Sequence, residues 1–206
     1  MKSKVFRNSP LFLRNSFPGV GRWQIPLIKK QVIDISSLDV LSYNNVRKSD
    51  MPLFHSFGVH FFVDDCRFEP VYYQPEKNYK KLKPYRVLFT PDFSLYQEMQ
   101  PWRRIESIGK SHWCGAYWQS QGSKVIPTMS WSSPESFEYA FDGVEKGAIV
   151  AIGMIGCKTN KRNFLRGYEA MQERIEPGQI VCFGSPFPEM RSKNLYEIDY
   201  VNSWRK

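Results

Sequence analysis

Val59-His60-Phe61-Phe62-Val63, running directly into Asp64-Asp65, is the stretch that decides the fold. A strand with one face in water alternates apolar and polar residues, and this run does not. It suits a strand covered on both faces, as in a parallel sheet flanked by helices. His60, inside the run, reads as a structural residue. The two carboxylates at its end matter as much as the run itself, because ligands of parallel α/β sheets bind at the carboxyl ends of the strands.

The same texture recurs downstream. Arg86-Val87-Leu88-Phe89-Thr90 runs into Pro91-Asp92-Phe93-Ser94, and Lys124 to Met129 runs into Ser130-Trp131. Ala148 to Ile152 leads into a turn over Gly153 to Cys157, and Gln179 to Phe183 leads into Gly184-Ser185-Pro186. A last short strand is expected at Leu195 to Val201. Helix patterns fill the gaps: Pro75 to Leu82, Trp102 to Gln121 with Gly122 placed to end it, and a start at Ser133-Pro134-Glu135. Phe137, Ala140, Phe141 and Val144 would be the buried stripe of that third helix, with Gly143 closing it. Phe164, Tyr168, Met171 and Ile175 mark a fourth.

Strand–helix alternation about five times over implies right-handed crossovers and a mostly parallel sheet. The expectation is an α/β chain of about five to six β/α units. A complete barrel needs eight units, so a partial or irregular TIM-like barrel is expected, with an open doubly wound sheet as the alternative. Upstream, residues 1–20 are punctuated by Asn, Ser, Pro and Gly. Trp23 to Ile28 is interrupted by Pro26, which suits an edge strand or extended arm, and residues 43–58 read as a loop. The chain is therefore divided into an irregular basic arm over 1–57 and a β/α core over 58–201, in a single domain of 206 residues. The arm could supply strands that the core lacks.

Composition narrows the classes. Apolar content of 42% and aromatic content of 16% belong to a folding sequence. Nothing reaches the roughly 18 unbroken apolar residues of a membrane helix, and the basic N-terminus lacks a signal peptide's apolar core. A cytoplasmic protein with no membrane partner is expected. Cys66, Cys114, Cys157 and Cys182 stand apart with no CxxC pair, so small core residues are expected and not disulfides. The net charge is +9, of which residues 1–50 carry +6, from nine Lys/Arg against three Asp. Such an arm either meets phosphates or is a solvated basic surface.

The strand-end rule selects the candidate site. Asp64, Asp65 and Asp92 come from two strands that would lie about 4.8 Å apart if adjacent. Paired carboxylates hold a divalent cation, for which Asp64 and Asp92 are the candidates, or divide acid and base roles. The competing account is that these Asp residues cap turns and helices. Lys110 and His112 lie in the following helix two apart, so they do not share a face. Lys110 is a candidate to meet anionic charge, and His112 to act as acid or base. Ser94, Trp131 and Ser185 complete the candidate ligand-binding set, with Trp131 and Phe93 suited to stacking on a base or sugar or to wall packing. The chain has no phosphate-loop motif, no GxGxxG, no GxSxG and no zinc spacing.

Several phrases carry a resemblance. Gly58-Val-His-Phe-Phe-Val-Asp-Asp65, Pro91-Asp-Phe-Ser-Leu-Tyr96, Gly115-Ala-Tyr-Trp-Gln119, Val125-Ile-Pro-Thr128 and Phe164-Leu-Arg-Gly167 resemble, in order, blocks of domain-of-unknown-function family 4417. The arm around Ile25-Pro26, Trp131, Phe141-Asp-Gly143 and the Gly184-Ser185 end are similar too, so the likeness covers about residues 20–186. The family's pattern has Arg-x-Arg where this chain has Lys110 and His112, which weakens any bidentate anion clamp there. The resemblance implies a bacterial, phage or mobile-element setting and no established activity.

Three readings follow. The first is an enzyme or enzyme-derived domain binding a phosphorylated or nucleotide-like ligand. The second is a nucleic-acid-binding accessory protein of a mobile element, active in replication. The third is a non-catalytic binder of a host protein. The residues themselves do not choose between catalysis and binding.

Overall fold

The structure, a computed structural model, describes residues 3–46 and 55–199. Two short helices, α1 (Ser3–Arg7) and α2 (Pro10–Leu13), open the chain. β1 (Gly19–Val20) and β2 (Ile25–Pro26) form a small antiparallel pair. Arg14 fastens this arm to the body. Its guanidinium lies 4.0 Å from the ring centres of both Tyr72 and Trp113 and donates to Tyr72 O at 2.8 Å. That arginine is therefore a structural cation and not part of a solvated basic surface.

The body holds two parallel sheets. β3 (Asp39–Ser42), β4 (Phe57–His60), β5 (Val87–Phe89) and β6 (Val125–Ile126) pair in that order. β7 (Ile149–Gly153), β8 (Gln179–Phe183) and β9 (Leu195–Ile198) form the second sheet. Strand order follows chain order in both, without the reversal that defines a doubly wound sheet. A parallel bridge between Thr128 and Ala151 joins the sheets. Pro127, whose backbone edge faces β7, has no N–H to donate to that strand, so the pairing stays a single bridge. Pro127 O instead accepts from Ala151 N at 2.8 Å, and Met129 N donates to Ala151 O at 2.7 Å. Thr128 N meanwhile donates to the Thr90 hydroxyl at 2.8 Å, so one short segment serves both sheets.

α3 (Asp65–Tyr73), α4 (Pro75–Leu82) and α5 (Pro101–Ser120) follow β4 and β5, and α6 (Lys161–Ile175) lies between β7 and β8. Strand side chains divide by parity. Leu41, Val59, Leu88 and Val125 pack with Phe68, Leu82 and Trp118, while Val150, Ile152, Ile180 and Cys182 pack with Tyr168 and Met171. The opposite set forms a shared interior: Val40, Val87, Phe89, Ile126, Ala151, Val181 and Phe183, together with Phe62 and the arm's Ile33 and Ile35. His60 lies against this cluster, 4.8 Å from Phe183 between ring centres. Among the described residues no helix is long and apolar enough to cross a membrane. The four cysteines are free thiols.

Three local expectations are corrected. The basic arm is not wholly irregular, because β3 within it is a full member of the four-stranded sheet and all but Asp39 of its residues are buried. The helix expected from Ser133 is a 3-10 turn over Pro134–Glu138. There Ser136 Oγ accepts from Ser132 N at 2.9 Å and donates to Ser133 O at 2.7 Å, side-chain bonds that compete with an α-helix. α3 is an unforeseen helix, obscured by Pro70 within it. Part of the loop read over 43–58, residues 47–54, and the end of the last strand beyond residue 199 lie outside the described residues.

Two buried histidines carry a pH prediction. Burial lowers His60 from 6.5 to about 3 and His112 from 6.5 to about 4. The native state thus binds fewer protons than the unfolded chain, so this stability is present above about pH 6.5 and lost as pH falls through 4. In urea titrations at each pH, His112→Gln should show a flatter fall with acid than the wild-type chain. Parallel curves would mean that His112 protonates freely in the fold.

Candidate functional site

A cleft of about 1010 Å³ opens at the carboxyl ends of β4, β5, β6 and β7. Its position follows from the parallel topology, which points four consecutive strand ends to one side. Phe62 to Cys66 enter from β4, Asp92 to Met99 from β5, Met129 to Ser132 from β6, and Gly153 with Ile155 to Cys157 from β7. Asn160, Asn163 and Phe164 enter from the start of α6.

The acidic pair facing the cleft is Asp65 with Asp92. Asp65 accepts from Ser94 N at 3.1 Å and from Ser94 Oγ at 2.9 Å. Those bonds tie the β4–α3 turn to the loop after β5 and leave Asp65 little freedom. Asp92 accepts from the Ser130 hydroxyl. Desolvation raises its carboxyl from 3.8 to about 6, the Ser130 bond opposes the rise, and the Asp65 charge adds to it. Desolvation outweighs the hydrogen bond because one hydroxyl replaces only part of a carboxylate's hydration. Cys157 feels the same acidic site: burial first, and then Asp92, push its thiol up to about 11. It is a neutral wall residue near neutral pH, not a poised nucleophile.

Of the residues selected from sequence, Asp64, Asp65, Asp92, Ser94 and Trp131 line this cleft. Asp64 sits at the rim with its side chain 79% exposed, 3.6 Å from Arg67 Nε, and makes no capping hydrogen bond. The carboxylate set beside Asp92 in the cleft is thus Asp65, with Asp64, the other expected metal partner of Asp92, at the rim. Among the described residues no three His, Cys, Asp or Glu side chains gather as a metal-holding group.

The other three lie elsewhere. Lys110 Nζ is enclosed behind Phe93, 2.9 Å from both Tyr73 Oη and Glu106 Oε1, and lies over the rings of Tyr72, Tyr73 and Phe93. Its charge is already matched, so it does not serve as an anion contact in the cleft. His112 is buried on α5 with Nδ1 3.2 Å from Pro26 O, facing the arm. Ser185 is exposed after β8 and does not line the cleft.

The strand-end rule missed Asn160, Asn163 and Phe164. Phe164 looked like part of α6's buried stripe, but it is half-buried against Trp131, with ring centres 4.9 Å apart. Trp131 is pinned from behind by Gly167, where an added Cβ would come within 2.1 Å of the indole Nε1. Gly167→Ala should therefore push the indole toward the cleft at a cost of about 1–3 kcal/mol. Changed Trp emission together with a lower urea midpoint would show it, and an unaltered midpoint would contradict it.

The lining is acidic and aromatic. Asp64, Asp65, Asp92 and Glu98 have no Lys or Arg among the lining residues, while Phe62, Phe93, Tyr96, Trp131 and Phe164 offer ring surface. Lys158 and Arg162 are exposed and flank the lining residue Asn160 in sequence. Such a site can accept hydrogen bonds from N–H or O–H groups, stack on a flat ring and exchange a proton at Asp92 near neutral pH.

Comparison with known proteins completes the description. The family model described as domain of unknown function (DUF4417) matches residues 17–201. A Gene 1 protein of Mycobacterium phage D29 is 34% identical over 198 residues, which span 94% of this chain and 72% of the phage protein. A Gene 1 protein of Mycobacterium phage L5 is 32% identical over 196 residues, spanning 90% and 85%. No solved structure matches the chain. With nearly all of its β/α body inside the matched range, this chain belongs to the DUF4417 family, which it shares with mycobacteriophage relatives.

Proposed function

We propose that the cleft is the working site and that it binds a nucleotide-like ligand by its ring, with Asp92 as a proton-exchanging group beside it. The seven parallel strands, in chain order around one interior, are read as a partial barrel whose strand ends form the cleft. One observation carries the reading: Asp65 and Asp92, from adjacent strands, share a 1010 Å³ cleft with Trp131 and Phe164. The volume suits a small-molecule ligand. Carboxylates accept well from the N–H edge of a base or the hydroxyls of a ribose, and the aromatic wall supplies stacking. The anionic end of the ligand belongs at the mouth, toward Lys158 and Arg162, because the acidic lining repels it from the interior.

The test is titration calorimetry of the wild-type chain, Asp65→Asn and Asp92→Asn. The probes are guanosine, adenosine, GMP, AMP and a short single-stranded oligonucleotide, with and without magnesium, and circular dichroism checks the fold. The reading expects saturable binding of at least one mononucleotide or nucleoside, weakened about 10- to 100-fold by either substitution, as for loss of a charged hydrogen bond. Binding of the oligonucleotide alone, insensitive to both substitutions, would overturn it in favour of a nucleic-acid surface. Absence of binding by every probe would also overturn it.

A further inference from the structure

Behind Asp92 lies a second, inner space. It measures about 10 Å³ and shares Asp92, Phe93, Leu95 and Ser130 with the cleft wall. Its far side is formed by Ser107, Ile108, Ser111 and His112 of α5, with Thr128 and Ala140. That volume is about one water probe, the least that holds a water molecule, and a water also needs two to four polar partners.

The partners are present. Ser107 and His112 are 4% and 2% exposed. Ser107 Oγ makes no hydrogen bond among the described residues, although a buried hydroxyl ordinarily finds one. His112 turns Nδ1 toward Pro26 O at 3.2 Å, with the Gly143 backbone beside the same nitrogen as a second partner. A carbonyl cannot donate, so Nδ1 carries the proton, and in a neutral ring Nε2 is left as an unpaired acceptor. The neighbouring hydroxyls are engaged elsewhere: Ser111 Oγ donates to Thr90 Oγ1 at 3.1 Å, and Thr128 Oγ1 donates to Thr90 O at 2.7 Å. Asp92 gives one carboxylate oxygen to Ser130 and has acceptor capacity to spare.

We infer that this chamber is a built hydration site, in which one water accepts from Ser107 Oγ–H and donates to His112 Nε2 and to the Asp92 carboxylate. Both donors of the water and one of its two acceptor positions are then used, and Ser107 Oγ and His112 Nε2 each gain a partner. His112 becomes a positioning residue: through the water it orients the carboxylate that faces the cleft, while its other nitrogen is held by the arm at Pro26. The arm is thus coupled to the site through three hydrogen bonds, one water and one ring. Gly143 supports this arrangement. At φ +75° it allows a close approach in which an added Cβ would lie 2.8 Å from His112 Nδ1 and 2.6 Å from Pro26 O.

The inference does not depend on what the cleft binds, and it is tested without a ligand. An atomic-resolution crystal structure of the full chain should show one ordered water in the chamber. Nitrogen-15 NMR of the wild-type chain at neutral pH should show His112 protonated on Nδ1, with Nε2 shifted as a hydrogen-bonded acceptor. Ser107→Val places a methyl group in the chamber, so it should expel the water and move the Nε2 signal toward that of an unbonded nitrogen, with Nδ1 unchanged. A packing role alone for His112 predicts no movement of Nε2. An empty chamber in the wild-type crystal, or a wild-type His112 protonated on Nε2, overturns the inference.

Discussion

Phe183→Ala is expected to destabilise the protein by about 3–5 kcal/mol, close to half the stability of a typical domain. The reason lies in where the ring sits. Phe183 ends β8, in the second sheet, yet its ring centre is 4.7 Å from Phe62, 4.8 Å from His60 and 5.1 Å from Phe89. Those three belong to the first sheet or to the turn that leaves it. Backbone pairing joins the sheets at a single bridge among the described residues, so side-chain packing must do most of the joining. Deleting the ring removes a large buried apolar surface and leaves a void in a cluster whose buried members come from five strands. Phe183→Leu, which keeps most of the volume, should cost about 1.5 kcal/mol or less. Phe12→Ala, at a half-exposed ring in α2, should fall within about 0.5 kcal/mol of wild type. Urea denaturation of the three variants measures the contrast. A loss below about 1 kcal/mol for Phe183→Ala would mean that the interior collapses around the deletion and that the rings do not join the sheets.

Asp92→Asn should raise stability at neutral pH while weakening ligand binding about 10- to 100-fold. A carboxyl raised from 3.8 unfolded to about 6 folded makes the native state bind more protons than the unfolded chain. The associated stability is fully present below about pH 4 and is lost as pH climbs through 6. By pH 7 the ionised group costs the fold about 3 kcal/mol. Asparagine cannot ionise, and it still accepts from Ser130. The variant should therefore outlast wild type in urea at pH 7 by up to about 3 kcal/mol, with the advantage fading toward pH 4. His60 and His112 act in the opposite direction over an overlapping range, so the readout is the difference between variant and wild type at each pH. A difference that does not vary with pH would show that Asp92 ionises as it does in water. A carboxylate held against such a cost is the expected mark of a functional group and not of a cap.

The strands after the arm were legible because each is a short apolar run ending in a turn residue, and burial on both faces writes that pattern directly into sequence. β3 was not legible: Asp39-Val-Leu-Ser42 is short, and its pairing with β4 is decided by distant residues. The turn after Ser133 carries good helix-start residues, yet Ser136 turns its hydroxyl onto the backbone and the helix does not form. Asp65 and Asp92 could be named in advance because strand ends converge in any parallel α/β sheet. That Asp65 and not Asp64 is the inner partner could not, since one step along a turn reverses which side chain faces the cleft.

The same division holds for the α5 residues. Lys110 and His112, two apart on a helix, must point to different sides whatever the fold, and they do: one into an aromatic box beside Glu106, the other toward Pro26. Composition, apolar runs and strand-end carboxylates determined the parallel α/β class and the end of the sheet that carries the cleft. These are local consequences of burial and chain geometry. Tertiary structure alone decided which carboxylate is desolvated, which cations are already matched and where a water-sized chamber is left. Each of those depends on atoms brought together from distant segments, such as His112 and Pro26, 86 residues apart.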